Sequence, residues 1–243
     1  MNVLITICAR GGSKGIPDKN IKEINGVPLI AYSILLAKQF QNTYKADIGL
    51  STDSEKYKEV AAQYGLITEY TRPEKLATDG AGKIGVIRDL KDFEEKRNQK
   101  TYDYVIDLEV TSPLRNLDDI KNALDLLMAN PQALIMVGVS PVTKNPYYNM
   151  WEKKEDNFWG LSKRRGDILS RQVSPVVYAS NGMVYIMTQE FFRQGHESIV
   201  TEKSDVYVTP HMCFDLDEMI DFNFMDFVLT HNKLDFKLGI NGQ

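Results

Sequence analysis

A three-layer, Rossmann-like α/β fold, with a mainly parallel sheet and helices on both faces, is predicted by three features of the sequence. Apolar runs rich in β-branched residues repeatedly end in polar loops, and each loop opens a helical pattern, the alternation typical of a parallel sheet. A chain of 243 residues with 43% hydrophobic content suits one large core better than two equal ones. A stretch of broken periodicity, about 141–180, reads as an inserted, protruding dimerisation arm, so residues 1–243 form one domain with an appendage.

The first strand is expected over Val3–Cys8, too short and too β-branched for a helix. It runs into Ala9–Asn20 (ARGGSKGIPDKN), where three glycines allow close backbone approach and Arg10, Lys14 and Lys19 bring positive charge. The spacing matches neither G-x-x-x-x-G-K-[ST] nor G-x-G-x-x-G, so a P-loop and a dinucleotide fingerprint are both excluded. Two readings of the loop stay open, a cradle for a polyphosphate and a glycine-rich turn with a solvated basic face.

A buried helix follows from Leu29, then a strand from Ile48 ending in Ser51–Ser54, which caps a helix over Glu55–Tyr64. The polar loop 72–83 places Arg72, Ala81 and Lys83 before the helical pattern of Ile87, Leu90 and Phe93. A third strand is expected over Tyr104–Val110, followed by Thr111–Arg115 and a helix over Leu117–Met128. In such sheets ligands sit beyond the carboxyl ends of the strands, so the opening loop, Ser51–Ser54 and Glu109–Arg115 share one rim.

A fourth strand spans Ala133–Ser140. The arm beyond it carries both tryptophans, several tyrosines and the basic cluster Lys163–Arg165, and reads as short strands with aromatics packed on another subunit. Core pattern returns at Met183–Met187, a short helix is capped by Thr188, and Met212–Asp217 reads as the end of a strand before an apolar helix over Glu218–Leu229. Asp215 and Asp217, two apart, share a side of an extended chain. They suit a Mg²⁺ ion or a cap for the last helix. The three histidines lack zinc-ligand spacing.

A net charge of -4 and a pI near 5.5 argue against nucleic acid and anionic membranes as partners, which makes the basic loop a local feature for a small anion. Two cysteines, Cys8 and Cys213, in apolar runs suggest buried free thiols. With no leader pattern and no apolar run of membrane-spanning length, cytoplasmic residence is expected.

Taken in order, the motif Ala9–Asn20, Ser51–Asp53, Arg72–Pro73 with Leu76–Asp79, Thr111–Arg115, Arg171–Gln172, Asn181–Gly182 and Phe214–Asp217 resemble the acylneuraminate cytidylyltransferases, or CMP-sialic acid synthetases, and their legionaminate, KDN and KDO relatives. The resemblance implies Mg²⁺-dependent transfer of CMP from CTP to the anomeric 2-hydroxyl of a 2-keto acid sugar of the nonulosonic, sialic type, with release of pyrophosphate. It implies catalytic roles for Arg10, Lys19 and Asp217. Ala9, Arg10, Gly12, Ser13, Lys14, Asn20, Arg72, Ala81 and Lys83 would hold the nucleotide. Glu109, Arg171, Asn181 and Tyr185 would meet the sugar, and Asp215 and Asp217 the metal. It also implies a homodimer in which the arm, and Arg171 with it, reaches the partner's site.

Three departures bear on the sugar. Glu109-Val110 stands where sialate enzymes usually have glutamine-proline, and an ionised glutamate only accepts hydrogen bonds. Ala179 and Ser180 stand where some relatives place an arginine, leaving Arg171 or Lys83 to serve the sugar carboxylate. Tyr148 replaces a lysine. The alternatives are the same chemistry on KDN, legionaminate or KDO, and a CTP-binding regulator without catalysis.

Overall fold

The computed structural model describes residues 1–12 and 15–239, so Ser13 and Lys14 of the opening loop lie outside the described residues. In chain order the elements are β1 (Val3–Cys8), the two-residue strands β2 (Glu23–Ile24) and β3 (Val27–Pro28), α1 (Leu29–Tyr44), β4 (Asp47–Ser51), α2 (Glu55–Gln63), α3 (Lys83–Asn98), β5 (Tyr104–Asp107), α4 (Leu117–Ala129), β6 (Ile135–Pro141), β7 (Trp151–Lys153), β8 (Trp159–Leu161), β9 (Tyr178–Thr188), α5 (Gln189–Arg193), β10 (Ser204–Val208) and α6 (Met219–Thr230).

The six-stranded sheet has the order β10-β6-β9-β5-β1-β4. β1 pairs parallel with β4 and β5, and β10 parallel with β6, while β9 runs antiparallel to both β5 and β6. The expected alternation of side chains separates two cores. Val3, Ile5 and Ile7 of β1 join the residues of α1, α2, α4 and α6, whereas Leu4 packs with Ile84 and Ile87 of α3 and Phe191 and Phe192 of α5. Helices therefore cover both faces, as a mainly parallel sheet requires.

Local chemistry accounts for the helix starts. Ser54 accepts the Tyr57 N–H at the start of α2, and Thr188 accepts the Phe191 N–H at the start of α5. Asn116 and Asp119 form a reciprocal capping box at α4. α1 is buried on nearly every side, from Leu29 to Phe40, as its uniformly apolar sequence predicts.

Two strand expectations need correction. Met212–Asp217 pairs with no strand; the place beside β6 is taken by β10, whose Val206 and Val208 stay exposed and so lack the buried signature that marks an inner strand. Cys213 accordingly lies outside any strand, although both thiols are free and partly buried. β5 stops at Asp107, short of Val110, because the following residues turn around Arg115. The sequence between β6 and β9 holds the antiparallel pair β7 and β8, apart from the main sheet.

Candidate active site

At the carboxyl ends of β1, β4 and β5 lies a cleft of about 340 Å³. Its lining brings together Arg10, Lys19, Asn20, Arg72, Ala81, Lys83, Glu109, Asp215 and Asp217 from six separate stretches of chain. Neither Ala9 nor Gly12 lines it, and the Ala9 N–H is already donated to the Ser51 carbonyl, 2.9 Å away. Missed by sequence reasoning were Cys8, Thr78 and Asp79 on the cleft wall. Cys8 adjoins Ala9, and Thr78 and Asp79 belong to the Leu76–Asp79 motif, which was read as a carrier of the resemblance and not as part of the site.

The opening loop is fastened on three sides. The Gly11 N–H donates to Asp53 Oδ1 at 2.8 Å, Asn20 Nδ2 donates to the Arg10 carbonyl at 3.2 Å, and Arg10 pairs with Asp79 at 2.6 Å across the cleft. Lys19 spans the gap to the last segment, donating to the Leu216 carbonyl at 2.8 Å and to Asp217 Oδ1 at 3.1 Å. Leu216 is itself fully buried and donates its N–H to the Thr111 carbonyl at 2.8 Å. With that side chain turned inward, Asp215 and Asp217 on either side of it both reach the cleft. The period of two survives without a ladder.

Arg72 is buried against the end of β4, with Nε on Ser51 Oγ at 2.9 Å and an Nη on the Ser51 carbonyl at 2.8 Å. Arg115 supports the opposite rim. Its guanidinium, buried beneath the cleft, donates to the carbonyls of Glu109, Ser112 and Met183 and to Ser33 Oγ. Burial lowers its pKa to about 10, and the group stays charged at neutral pH.

The floor is an ion cluster. Lys83 lies 3.0 Å from Asp107 Oδ2 and 2.9 Å from Glu109 Oε2, with its ammonium 4.6 Å above the Tyr185 ring. The Asp107 contact is an ion pair without hydrogen-bond geometry at Oδ2; Oδ1 accepts from Thr6 at 2.8 Å. Burial works against the Lys83 charge, but Asp107 and Glu109 outweigh it and raise its pKa. Burial likewise raises the Glu109 pKa, against the pull of Lys83. Lys83 thus pairs with two carboxylates while lining the cleft.

Three residues expected to meet the sugar do not line this cleft. Asn181 sits in a bulge of β9, where Val137 faces Tyr185 but Val139 faces Ser180. Its amide donates to Ser140 Oγ at 2.9 Å and Thr209 Oγ1 at 2.7 Å while its carbonyl accepts the Met183 N–H, so all its hydrogen bonds are internal. Tyr185 lies beneath Lys83 rather than on the cleft surface; burial pushes its hydroxyl up to about 12. Arg171 is exposed on the arm and does not line this cleft.

These loops lie beyond the strand ends with cations on one wall and a carboxylate pair opposite, a layout for a polyphosphate and a metal. Residues 4–228 match the family model described as Cytidylyltransferase. The chain belongs to the cytidylyltransferase family. Among similar cytidylyltransferase-length proteins, post-translational flagellin modification protein B of Campylobacter coli is 34% identical over 236 residues, covering 97% of this chain and 98% of that one. CMP-N,N'-diacetyllegionaminic acid synthase of Campylobacter jejuni is 33% identical over 233 residues, covering 96% and 97%. A structure of CMP:2-keto-3-deoxy-manno-octonic acid synthetase complexed with CTP shares the fold, with a TM-score of 0.66 at 14% identity over 96% of this chain and 100% of that one.

The donor set can be tested against a metal. Among the described residues no group of three or more His, Cys, Asp or Glu side chains could hold an ion. Of the four carboxylates that line the cleft, Asp79 is paired with Arg10 and Glu109 with Lys83, and the pair Asp215 and Asp217 matches the share Mg²⁺ takes from a protein when phosphate oxygens and waters fill the remaining positions. No histidine lines it, which fits a hard oxygen-seeking cation and not zinc. Among the described residues no helix is long and apolar enough to cross a membrane.

Proposed function

We propose that this cytidylyltransferase transfers CMP from CTP to the anomeric 2-hydroxyl of a nonulosonic acid, releasing pyrophosphate. The observation that carries the reading is Lys19, whose ammonium joins the opening loop to Asp217 and so brings the phosphate side of the cleft against its carboxylate side. The sugar hydroxyl oxygen attacks the α-phosphorus, a new O–P bond forms, the bond to the β-phosphate oxygen breaks, and the hydroxyl proton passes to a carboxylate of the Asp215/Asp217 pair and on to solvent. Negative charge builds on the non-bridging and leaving oxygens, where Arg10 and Lys19 stabilise it. Asn20, Arg72 and the backbone at Ala81 orient cytidine. Asp215 and Asp217 would hold Mg²⁺, which when bound adds further charge stabilisation at the α-phosphate and the leaving pyrophosphate.

The acceptor we assign is of the diacetamido, legionaminic type rather than N-acetylneuraminate. Glu109, tied to Lys83, presents acceptor oxygens suited to N–H and hydroxyl groups, and a relative named for the legionaminic acid reaction matches along nearly its whole length. Tryptophans and other large apolar residues exposed on the arm support a homodimer in which Arg171 serves the partner's cleft. Such an enzyme would work in the cytoplasm, where CTP is made.

Pyrophosphate release from CTP and Mg²⁺ with a panel of N,N'-diacetyllegionaminate, N-acetylneuraminate, KDN and KDO tests the assignment. Turnover is expected to be highest with legionaminate. Asp217→Asn is expected to lower turnover about 100-fold at saturating magnesium. CTP binding with no pyrophosphate released for any sugar would make the chain a regulator instead.

A further inference from the structure

Outside the cleft, His211 sits where its hydrogen-bond partners bear on its charge. Its ring is 6% exposed. Nδ1 lies 3.0 Å from the Met212 carbonyl oxygen, and Nε2 lies 2.9 Å from Asp119 Oδ2. A carbonyl and a carboxylate both accept, and a neutral imidazole has one N–H to offer. Only the imidazolium, protonated on both nitrogens, satisfies both partners. Asp119 accepts on both oxygens, Oδ2 taking also the Asn116 N–H at 2.7 Å and Oδ1 the Tyr207 hydroxyl at 3.0 Å.

The surroundings favour the cation from every side that packs on it. From α4 comes Asp119, from β10 the Tyr207 hydroxyl behind it, and from the C-terminal stretch Asp235, whose carboxylate accepts the Met212 N–H at 3.1 and 3.2 Å. The Phe236 ring stacks on the imidazole at 3.6 Å between centroids. Burial opposes the charge, but the hydrogen bonds to Asp119 and Met212 and the charges of Asp119 and Asp235 prevail and raise the pKa.

His211 stands at the head of the segment that carries Asp215 and Asp217. Asp119 belongs to the capping box that begins one residue after Arg115, at the end of the Glu109–Arg115 turn. The segment and the turn meet again where the Leu216 N–H bonds the Thr111 carbonyl. We propose that His211, held as an imidazolium between Asp119 and the Met212 carbonyl, is a positioning residue that clamps residues 211–217 onto α4 and sets where the cleft's carboxylate wall stands against the Glu109–Arg115 turn. The clamp is complete below about pH 6.5, the ordinary histidine value, and is lost as pH rises through the higher value of the folded state.

The test reads the ring first. In ¹⁵N NMR of the whole protein, with the His211 signals assigned by their loss in His211→Gln, both ring nitrogens are expected to carry protons at pH 7; a neutral ring there overturns the proposal. Glutamine can reach Asp119 or the Met212 carbonyl but not both, so in His211→Gln the Leu216 amide is expected to exchange about 10-fold faster. For the kinetic readout, which alone rests on the proposed transfer reaction, kcat is expected to fall about 10-fold with KM for CTP changed less than about 2-fold. The wild-type kcat should also decline through the pH at which the ring deprotonates, a limb absent from the variant. Unchanged Leu216 exchange, or an unchanged kcat and pH profile, would refute the clamp. A wild-type protein inactive on every sugar would instead count against the proposed reaction, with ring protonation and Leu216 exchange still deciding the clamp.

Discussion

Gly182 lies in the bulge of β9 and Gly12 in the opening loop, and the space around them differs sharply. Gly182 has φ of +69°, and a Cβ there would stand 2.6 Å from Ser112 Oγ and 2.8 Å from Glu109 Oε2. Around Gly12 a Cβ meets nothing within 4 Å among the described residues. Gly182→Ala is therefore expected to destabilise by about 1–3 kcal/mol, through backbone strain and displacement of Glu109. Gly12→Ala should stay within about 0.5 kcal/mol of wild type. Urea unfolding midpoints of the two variants provide the check, and equal midpoints would mean that the β9 bulge tolerates a side chain. The sequence marked Gly12 as part of a glycine-rich loop and Gly182 only as part of the Asn181–Gly182 motif, and it could not rank them. What distinguishes them is the approach of Ser112 and Glu109, residues about 70 positions away in the chain.

Among the elements, α3 shows how a locally unfavourable choice becomes legible only in three dimensions. Lys83 is its first residue, where the positive end of the helix dipole disfavours a cation. The ion cluster with fully buried Asp107 and with Glu109 reverses that preference. Lys83→Met should thus destabilise by about 3 kcal/mol at pH 8, because Asp107 is left charged without a counter-ion. With Lys83 gone, nothing offsets the burial that already raises the Glu109 pKa, which climbs further above its unfolded value. The folded variant then binds more protons than the unfolded chain, and stability falls as pH rises through that window. The deficit relative to wild type should accordingly shrink between pH 8 and pH 5 in thermal melts, and a constant deficit would discard the electrostatic account. Legibility followed the same division elsewhere. β1, β4, α1 and α2 were readable from local pattern and caps, whereas the residues from Arg10 to Asp217 that line the cleft were grouped by the order of the motifs and the resemblance they carry. β10 was not, because an edge strand with exposed valines carries little core signal, and the inward turn of Asn181 depends on Ser140 and Thr209 from other strands.

At the scale of the whole molecule, the arm leaves a single chain with exposed surface that an isolated domain would rarely retain. Trp151 is 62% exposed, Phe158 75%, Trp159 65% and Leu169 88%. Scattered apolar residues are ordinary, but this concentration in one insertion is the kind of surface that associates. In the proposed homodimer the contact is isologous, so each arm serves the other subunit's cleft. That arrangement makes a prediction that neither subunit alone can satisfy. Arg171→Ala and Asp217→Asn are each expected to be nearly inactive as homodimers. After mixed refolding in equal amounts, half of the dimers are mixed, and in each of these one cleft pairs an intact Asp217 with an intact Arg171 arriving from the other chain. About a quarter of wild-type turnover should then return. An Arg171 acting within its own chain would restore nothing, since every cleft would still carry one of the two defects. The same samples run through light scattering provide the independent reading: twice the 27.7 kDa chain mass is expected for both variants, and a monomeric mass with full wild-type activity would remove the arm from the site altogether.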